Sequence, residues 1–297
     1  MSSLSGTSQS RPGAAIHPAT SMGAVRLTVS DLARSRAFYE QALGLSSVEQ
    51  EDGSIALAVA GERPLVELRG ERSAPPLDPR ATGLYHLAIL VPSRADLGFA
   101  LARLAQARWP LDGASDHLVS EALYLSDPDG NGIEIYRDRP RDEWRYVNGQ
   151  LAMNTLPLDL PSVLGEIVDA PSLQPEAPPG TSIGHVHLQV SDLGEAEDFY
   201  RGILGFEVTV RGYPGALFVA AGGYHHHLGL NTWRSLAAGP PAPGGVGLRD
   251  FEITLPDRDE LERVLARLQA AGIDVTPDGD GSSIRDPSGN GIRLRAA

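Results

Sequence analysis

The stretch DPDGNGIEIY, residues 127–136, returns near the C-terminus as DPSGNGIRLR, residues 286–295. Asp, Pro, Gly and Asn-Gly at fixed offsets encode a tight reversal into a strand, so the chain builds the same corner twice. The centre of the following strand is not copied: Glu134 in the first becomes Arg293 in the second. The repetition extends further. AVRLTVSDLARSRAFYEQALGL (24–45) matches HVHLQVSDLGEAEDFYRGILGF (185–206). Each reads as an alternating strand, a Ser-Asp helix N-cap, and an amphipathic helix ending at Gly44 or Gly205. GLYHLAILVPSRADLGFALARLAQARWPL (83–111) matches GLRDFEITLPDRDELERVLARLQAAGIDV (247–275) in the same way.

The chain therefore holds four units of one βαβββ pattern, at 22–70, 82–138, 182–233 and 245–297, and the fold class is α+β. Segments 71–81 and 234–246, rich in Pro, Gly and Ala, read as connectors. Residues 139–181 form a linker with one short helix expected at LPSVLGEI. Residues 1–21 are small and polar, lack the apolar region of a signal peptide, and read as a flexible tail.

Composition excludes several functions. A net charge of −13 argues against a nucleic-acid partner. With no cysteine, disulfides, thiolate catalysis and Cys-type zinc or iron–sulfur sites are ruled out. No apolar run approaches the roughly 18 residues that span a bilayer, so no membrane partner and a cytoplasmic location are expected. The remaining chemistry lies with histidine and carboxylates.

Four βαβββ units with HVxLxVSDL openings and DPDGNGIE endings resemble the vicinal oxygen chelate superfamily. That group includes glyoxalase I, bleomycin-resistance proteins and the type I extradiol ring-cleaving dioxygenases. The resemblance covers nearly the whole chain outside the tail and linker. It implies units paired into two cupped mixed sheets, with metal ligands drawn from first strands and a last strand. First-strand positions in register are Val25, His86, His185 and Asp250, with Arg26 beside the first. The last strands offer Glu67, Glu134, Leu228 or Gly229, and Arg293. His86, Glu134 and His185 then form a set of two imidazoles and one carboxylate, which suits Fe(II), with Mn(II) as the alternative ion. His187 shares a strand face with His185 and competes for that ligand position; otherwise it lines the pocket. Arg293 cannot ligate a cation, because a guanidinium has no lone pair to give. The expected arrangement is one metal cup from units 2 and 3 and one structural cup from units 1 and 4. Pairing 1 with 2 and 3 with 4 stays open, and would separate His185 from the other two.

Three further features resemble the catechol 2,3-dioxygenases within that group. YHHHLGLNTW (224–233) places His226 at the family's acid/base position, with His225 and His227 as register neighbours and His227 a second pocket candidate. Tyr124 stands ten residues before Glu134, where a phenol can hydrogen-bond a substrate oxygen. His117 resembles the family's second active-site histidine. The resemblance implies an Fe(II)-dependent extradiol dioxygenase acting on catechol or a substituted catechol with O₂, in a homo-oligomer. The alternatives are a glyoxalase-like metal-dependent isomerase, which calls for a fourth protein ligand where Leu228 or Gly229 stands, and a non-catalytic small-molecule-binding protein of the same fold.

Overall fold

The computed structural model describes residues 15–147, 149–170 and 172–297. Unit 1 is β1 (Ser21–Val29), α1 (Leu32–Gln41), β2 (Ser46–Glu49), β3 (Ile55–Ala58) and β4 (Val66–Gly70). Unit 2 is β5 (Gly83–Leu90), α2 (Arg94–Gln106), β6 (Gly113–Asp116), β7 (Ser120–Ser126) and β8 (Gly132–Asp138). The linker carries three two-residue strands, β9 (Tyr146–Val147), β10 (Gln150–Leu151) and β11 (Leu156–Pro157), then the short helix α3 (Leu160–Gly165). Unit 3 is β12 (Ser182–Gln189), α4 (Leu193–Glu197) continued by a π-turn (Asp198–Ile203), β13 (Glu207–Val210), β14 (Ala216–Ala220) and β15 (Leu228–Asn231). Unit 4 is β16 (Gly247–Leu255), α5 (Arg258–Ala270), β17 (Thr276–Asp278), β18 (Gly281–Arg285) and β19 (Gly291–Ala296).

The strands form two large mixed sheets. One runs β17-β18-β19-β16-β1-β4-β3-β2 and so joins units 4 and 1. The other runs β11-β6-β7-β8-β5-β12-β15-β14-β13 and joins units 2 and 3. The join in each case is an antiparallel pair of first strands, β1 with β16 and β5 with β12. Residues 1–14 of the expected tail lie outside the described residues. Ile16, by contrast, is buried and donates its backbone N–H to Gly205 O at 2.9 Å, so the chain packs against unit 3 before β1 begins.

The repeated sequence signals do repeated work. Asp31, Ser93, Asp192 and Asp257 each cap a helix by accepting the N–H three residues on, each worth about 1 kcal/mol. In the two copied turns, Asp127 accepts from the backbone of Asp129 and Asn131, and Asp286 from Ser288 and Asn290. Gly130 and Gly289 take φ of 89° and 85°, a region only glycine enters freely. The turns also couple the sheets. Tyr39 of unit 1 donates to Asp127 of unit 2, and Tyr200 of unit 3 donates to Asp286 of unit 4, at 3.3 and 2.9 Å. Both hydroxyls come from the copied Phe-Tyr pair of the helical segments. Each half of the repeat thus holds a turn of the opposite sheet.

Period-two alternation decides which face each strand gives to the core. On β5, Leu87 and Ile89 join the main apolar core, and on β12, Val186 and Leu188 do so. His86, Ala88, His185 and His187 consequently face the other way, into the cup.

The cup of units 1 and 4 holds a partly buried ion cluster centred on Arg26. Arg26 donates to Asp250 at 2.8 Å, to both oxygens of Glu67 at 2.9 and 3.1 Å, and to Glu252 at 3.5 Å. Burial pushes its guanidinium pKa down, and the carboxylates of Asp250 and Glu67 outweigh that and raise it. The register sets a correction. Arg26 stands opposite Asp250 as His187 stands opposite His86, so Arg26 rather than Val25 is the cup-facing counterpart, and Val25 is buried in the core. The matched sequences put Ala24 where unit 3 has His185. Arg293 leaves the cluster and pairs with Asp278 and Asp280, each at 3.5 Å. Arg26→Met is expected to strand three carboxylates around one cavity. It should cost about 3 kcal/mol in urea unfolding, the low end for breaking a buried ion group, because Glu67 and Asp250 keep 25% and 24% of their side-chain surface exposed. Unchanged stability would show that the cluster contributes nothing net.

Candidate metal centre

Three strands bring His86, Glu134 and His185 together in the cup of units 2 and 3. His86 lies on β5, Glu134 on its parallel neighbour β8, and His185 on its antiparallel neighbour β12. Ala88 stands opposite both Glu134 and His185 in the sheet and is fully buried. Its single methyl leaves room among the three larger side chains. A register shift between Ile183 and His185 inserts Gly184 as a bulge, which re-aims the strand. A Cβ at Gly184 would lie 1.8 Å from the Tyr136 hydroxyl, so only glycine fits there.

The three residues are 6%, 3% and 1% exposed. His86 Nε2 lies 3.0 Å and His185 Nε2 3.1 Å from the same atom, Glu134 Oε2. One ligand atom from each residue lies within 4.8 Å of the others, a grouping capable of holding a metal ion. Neighbouring ligands of an octahedral ion bound at about 2.1 Å stand about 3.0 Å apart. His86 Nε2 is buried and, despite its distance to Glu134, makes no hydrogen bond of acceptable direction among the described residues. A nitrogen close to a carboxylate without an N–H···O line fits a lone pair aimed at a shared cation.

The protonation states also fit. Burial pushes the His185 imidazole down to about 4 against the raising effect of Glu134. Burial pushes the Glu134 carboxyl up, but His185 and His86 outweigh it and hold it well below its usual range. Near neutral pH the site thus offers a carboxylate and a neutral His185, the forms that bind metals.

His187 lies opposite His86, with ring centroids 4.9 Å apart. It lines the cavity, outside the three-residue cluster. Gly229 on β15 lies directly beneath it: a Cβ there would come within 2.8 Å of the His187 ring. His226 also lines the cavity, its ring 4.1 Å from that of His185. His227 is a correction. In the bend before β15, His227 turns from the cavity, accepts the Ala221 N–H at Nδ1 (3.1 Å), and packs near Phe206 and Tyr224.

Tyr124 on β7 pairs across the ladder with Glu134. Burial and the Glu134 carboxylate push its hydroxyl pKa well up, so it stays a neutral donor. His117 Nε2 lies 2.6 Å from that hydroxyl and Nδ1 lies 2.8 Å from Asn154 O. A carbonyl only accepts, so Nδ1 carries the proton in neutral His117 and Nε2 accepts from Tyr124.

The cavity over these residues measures about 550 Å³. Tyr85, Tyr213, Phe218 and Trp233 give it an aromatic wall, and Met153, Asn154 and Thr155 of the linker form part of its rim. None of these was singled out from the sequence. Wall residues come from separate strands, loops and a linker with no periodic signal, although YHHHLGLNTW did contain Trp233.

Comparison with known proteins agrees with this architecture. Residues 21–135 and 182–294 match the family model described as the Glyoxalase/Bleomycin resistance protein/Dioxygenase superfamily. A relative from Bacillus subtilis (strain 168), named catechol-2,3-dioxygenase, is 44% identical over 276 residues, covering 92% of this chain and 95% of its own. Among solved structures, one from Bacillus subtilis subsp. subtilis str. 168 carrying a provisional dioxygenase name superposes with a TM-score of 0.62 at 15% identity, over 93% of this chain and 85% of that one. Glyoxalase I from Zea mays superposes with a TM-score of 0.57 at 17% identity, over 93% and 92%. At such identities the two structures speak for the fold alone. The chain belongs to the Glyoxalase/Bleomycin resistance protein/Dioxygenase superfamily and, within it, to the family of the Bacillus catechol-2,3-dioxygenase.

Proposed function

We propose that this protein is an Fe(II)-dependent extradiol dioxygenase that opens the ring of catechol or a substituted catechol with O₂. His86, Glu134 and His185 would hold the metal. The observation that carries this reading is the buried convergence of two imidazole nitrogens on one carboxylate oxygen, at 3.0 and 3.1 Å, at the base of an aromatic-walled cavity. Kinship with a catechol-2,3-dioxygenase over nearly the full length adds to it.

Bound Fe(II) would supply open coordination positions for a diol and O₂, and electron transfer between them. With three protein ligands, one of them anionic, the site keeps a net charge of about +1 and favours an anionic diol. The protein's residues do the rest. His226 faces the cavity as a neutral imidazole, since burial and the nearby His185 and His225 hold its pKa well below the usual value. It takes a proton from a substrate hydroxyl and returns it as the ring opens. The Tyr124 hydroxyl, set by His117, hydrogen-bonds a substrate oxygen. His187, Tyr85, Phe218 and Trp233 flank an apolar ring and displace water. The product is a muconic semialdehyde carrying both atoms of O₂.

The test is anaerobic loading with Fe(II), then catechol and air. The expected result is a yellow ring-fission product and one O₂ consumed per catechol. An iron-loaded protein that takes up no oxygen with catechol or any ring-substituted catechol would overturn the assignment.

A further inference from the structure

Behind His226 lies a second histidine that the reaction as described leaves idle. His225 is fully buried, its ring 4.0 Å from that of Tyr224 and 5.5 Å from that of Trp144. Its two nitrogens have different partners. Nε2 lies 2.9 Å from Asp138 Oδ1, and Nδ1 lies 2.8 Å from Nδ1 of His226. Asp138 closes β8, four residues after Glu134, and its side chain is 27% exposed. Its Oδ1 also accepts from Tyr224 at 3.2 Å, whose hydroxyl is 2.7 Å from that of Tyr136. Tyr136 is fully buried, its ring 4.8 Å from that of His185.

The hydrogen bonds have a direction. A carboxylate only accepts, so His225 places its proton on Nε2 and points it at Asp138. With its one proton there, His225 has a bare Nδ1, which can only accept. The proton in the 2.8 Å contact must come from Nδ1 of His226. A neutral His226 carrying its proton on Nδ1 is left with a bare Nε2, the nitrogen that has no partner in this chain of bonds. Each link removes one of the two tautomers available to the next ring.

We propose that Asp138 and His225 are positioning residues that fix the tautomer and orientation of His226, leaving its Nε2 as the basic atom offered to the diol. Without them His226 divides between two tautomers, and the fraction with Nε2 protonated cannot take a proton there. The inference rests on the diol-cleaving reading for its purpose, but not for its measurement. Outer partners that fix ring orientation and tautomer at metal sites change activity about 10- to 100-fold when lost, and the same scale is expected for the pair behind His226.

The experiment uses metal-free protein with ¹⁵N-labelled histidine, where two-bond ¹H–¹⁵N correlations report which ring nitrogen carries the proton. In wild type, His226 is expected to be protonated at Nδ1 and His225 at Nε2; His226 protonated at Nε2 would overturn the inference with no variant needed. In Asp138→Ala, signals of both rings should move toward the opposite tautomers. In iron-loaded protein, Asp138→Ala and His225→Phe should lower kcat for catechol about 10- to 100-fold, with KM and iron content held. His225→Asn, whose amide oxygen sits near the lost Nδ1 and accepts from His226, should recover much of that loss. Retained kcat in Asp138→Ala, or equal loss in the Phe and Asn variants, would sink the proposal. Wild-type protein that fails to cleave catechol would sink the activity reading instead, while the tautomer spectrum would still decide this one.

Discussion

Glu134→Gln is expected to fold normally, retain no stoichiometric iron after desalting, and show no measurable catechol cleavage. The substitution keeps the side-chain volume and removes only the negative charge. In the native site that charge is buried and held against the His86 and His185 nitrogens, both about 3 Å away. Transferring a carboxylate into such a place is unfavourable unless a cation answers it. The amide costs less to bury, so unfolding of the metal-free variant should be little changed. A neutral amide oxygen is a poor third ligand, and two imidazoles alone do not hold a labile divalent ion. Metal analysis after gel filtration, alongside oxygen uptake, makes the measurement. Full iron content with native turnover would show that the three residues do not share an ion.

His226→Gln should give the opposite split: iron retained, cleavage lost. His226 lines the cavity beside His185 but is absent from the three-residue cluster. Losing a positioned proton carrier costs about 10²- to 10⁴-fold in rate, so kcat should fall by that range while iron content and catechol affinity hold. The two substitutions together separate holding the metal from moving the proton. A His226→Gln protein with native kcat would move the base elsewhere, to another titratable group on the cavity wall such as His187 or the Tyr124–His117 pair.

The difference between the two copied turns has a physical account. After the first turn, Glu134 faces the cup that gathers histidines. After the second, Arg293 faces hairpin acids, and in the equivalent cup Arg26 stands among the carboxylates. Both cups bury carboxylates, and both must supply a positive partner. One does so with a guanidinium built into the chain, and the other is suited to an ion from solution.

The repeat was readable because its signals are local. Asp and Ser caps, glycine-bearing turns and alternating strands depend on a few neighbouring residues, so the α+β architecture of four units followed from the sequence. So did His86, Glu134 and His185 as a set, since each occupies a matching place in its unit. The sequence left open what depends on long-range registry. Units 2 with 3 and 1 with 4 were the expected pairs, but which first strands pair is a contest between equivalent edges, and only the tertiary structure sets β5 beside β12 and β1 beside β16. A one-residue register difference replaced Val25 by Arg26, and the bend before β15 turned His227 from the cavity. Asp138 and His225, nearly ninety residues apart in the chain, carry no shared motif. Their bond exists because β8 and the segment before β15 converge in one sheet, and only tertiary structure turns that distance into 2.9 Å.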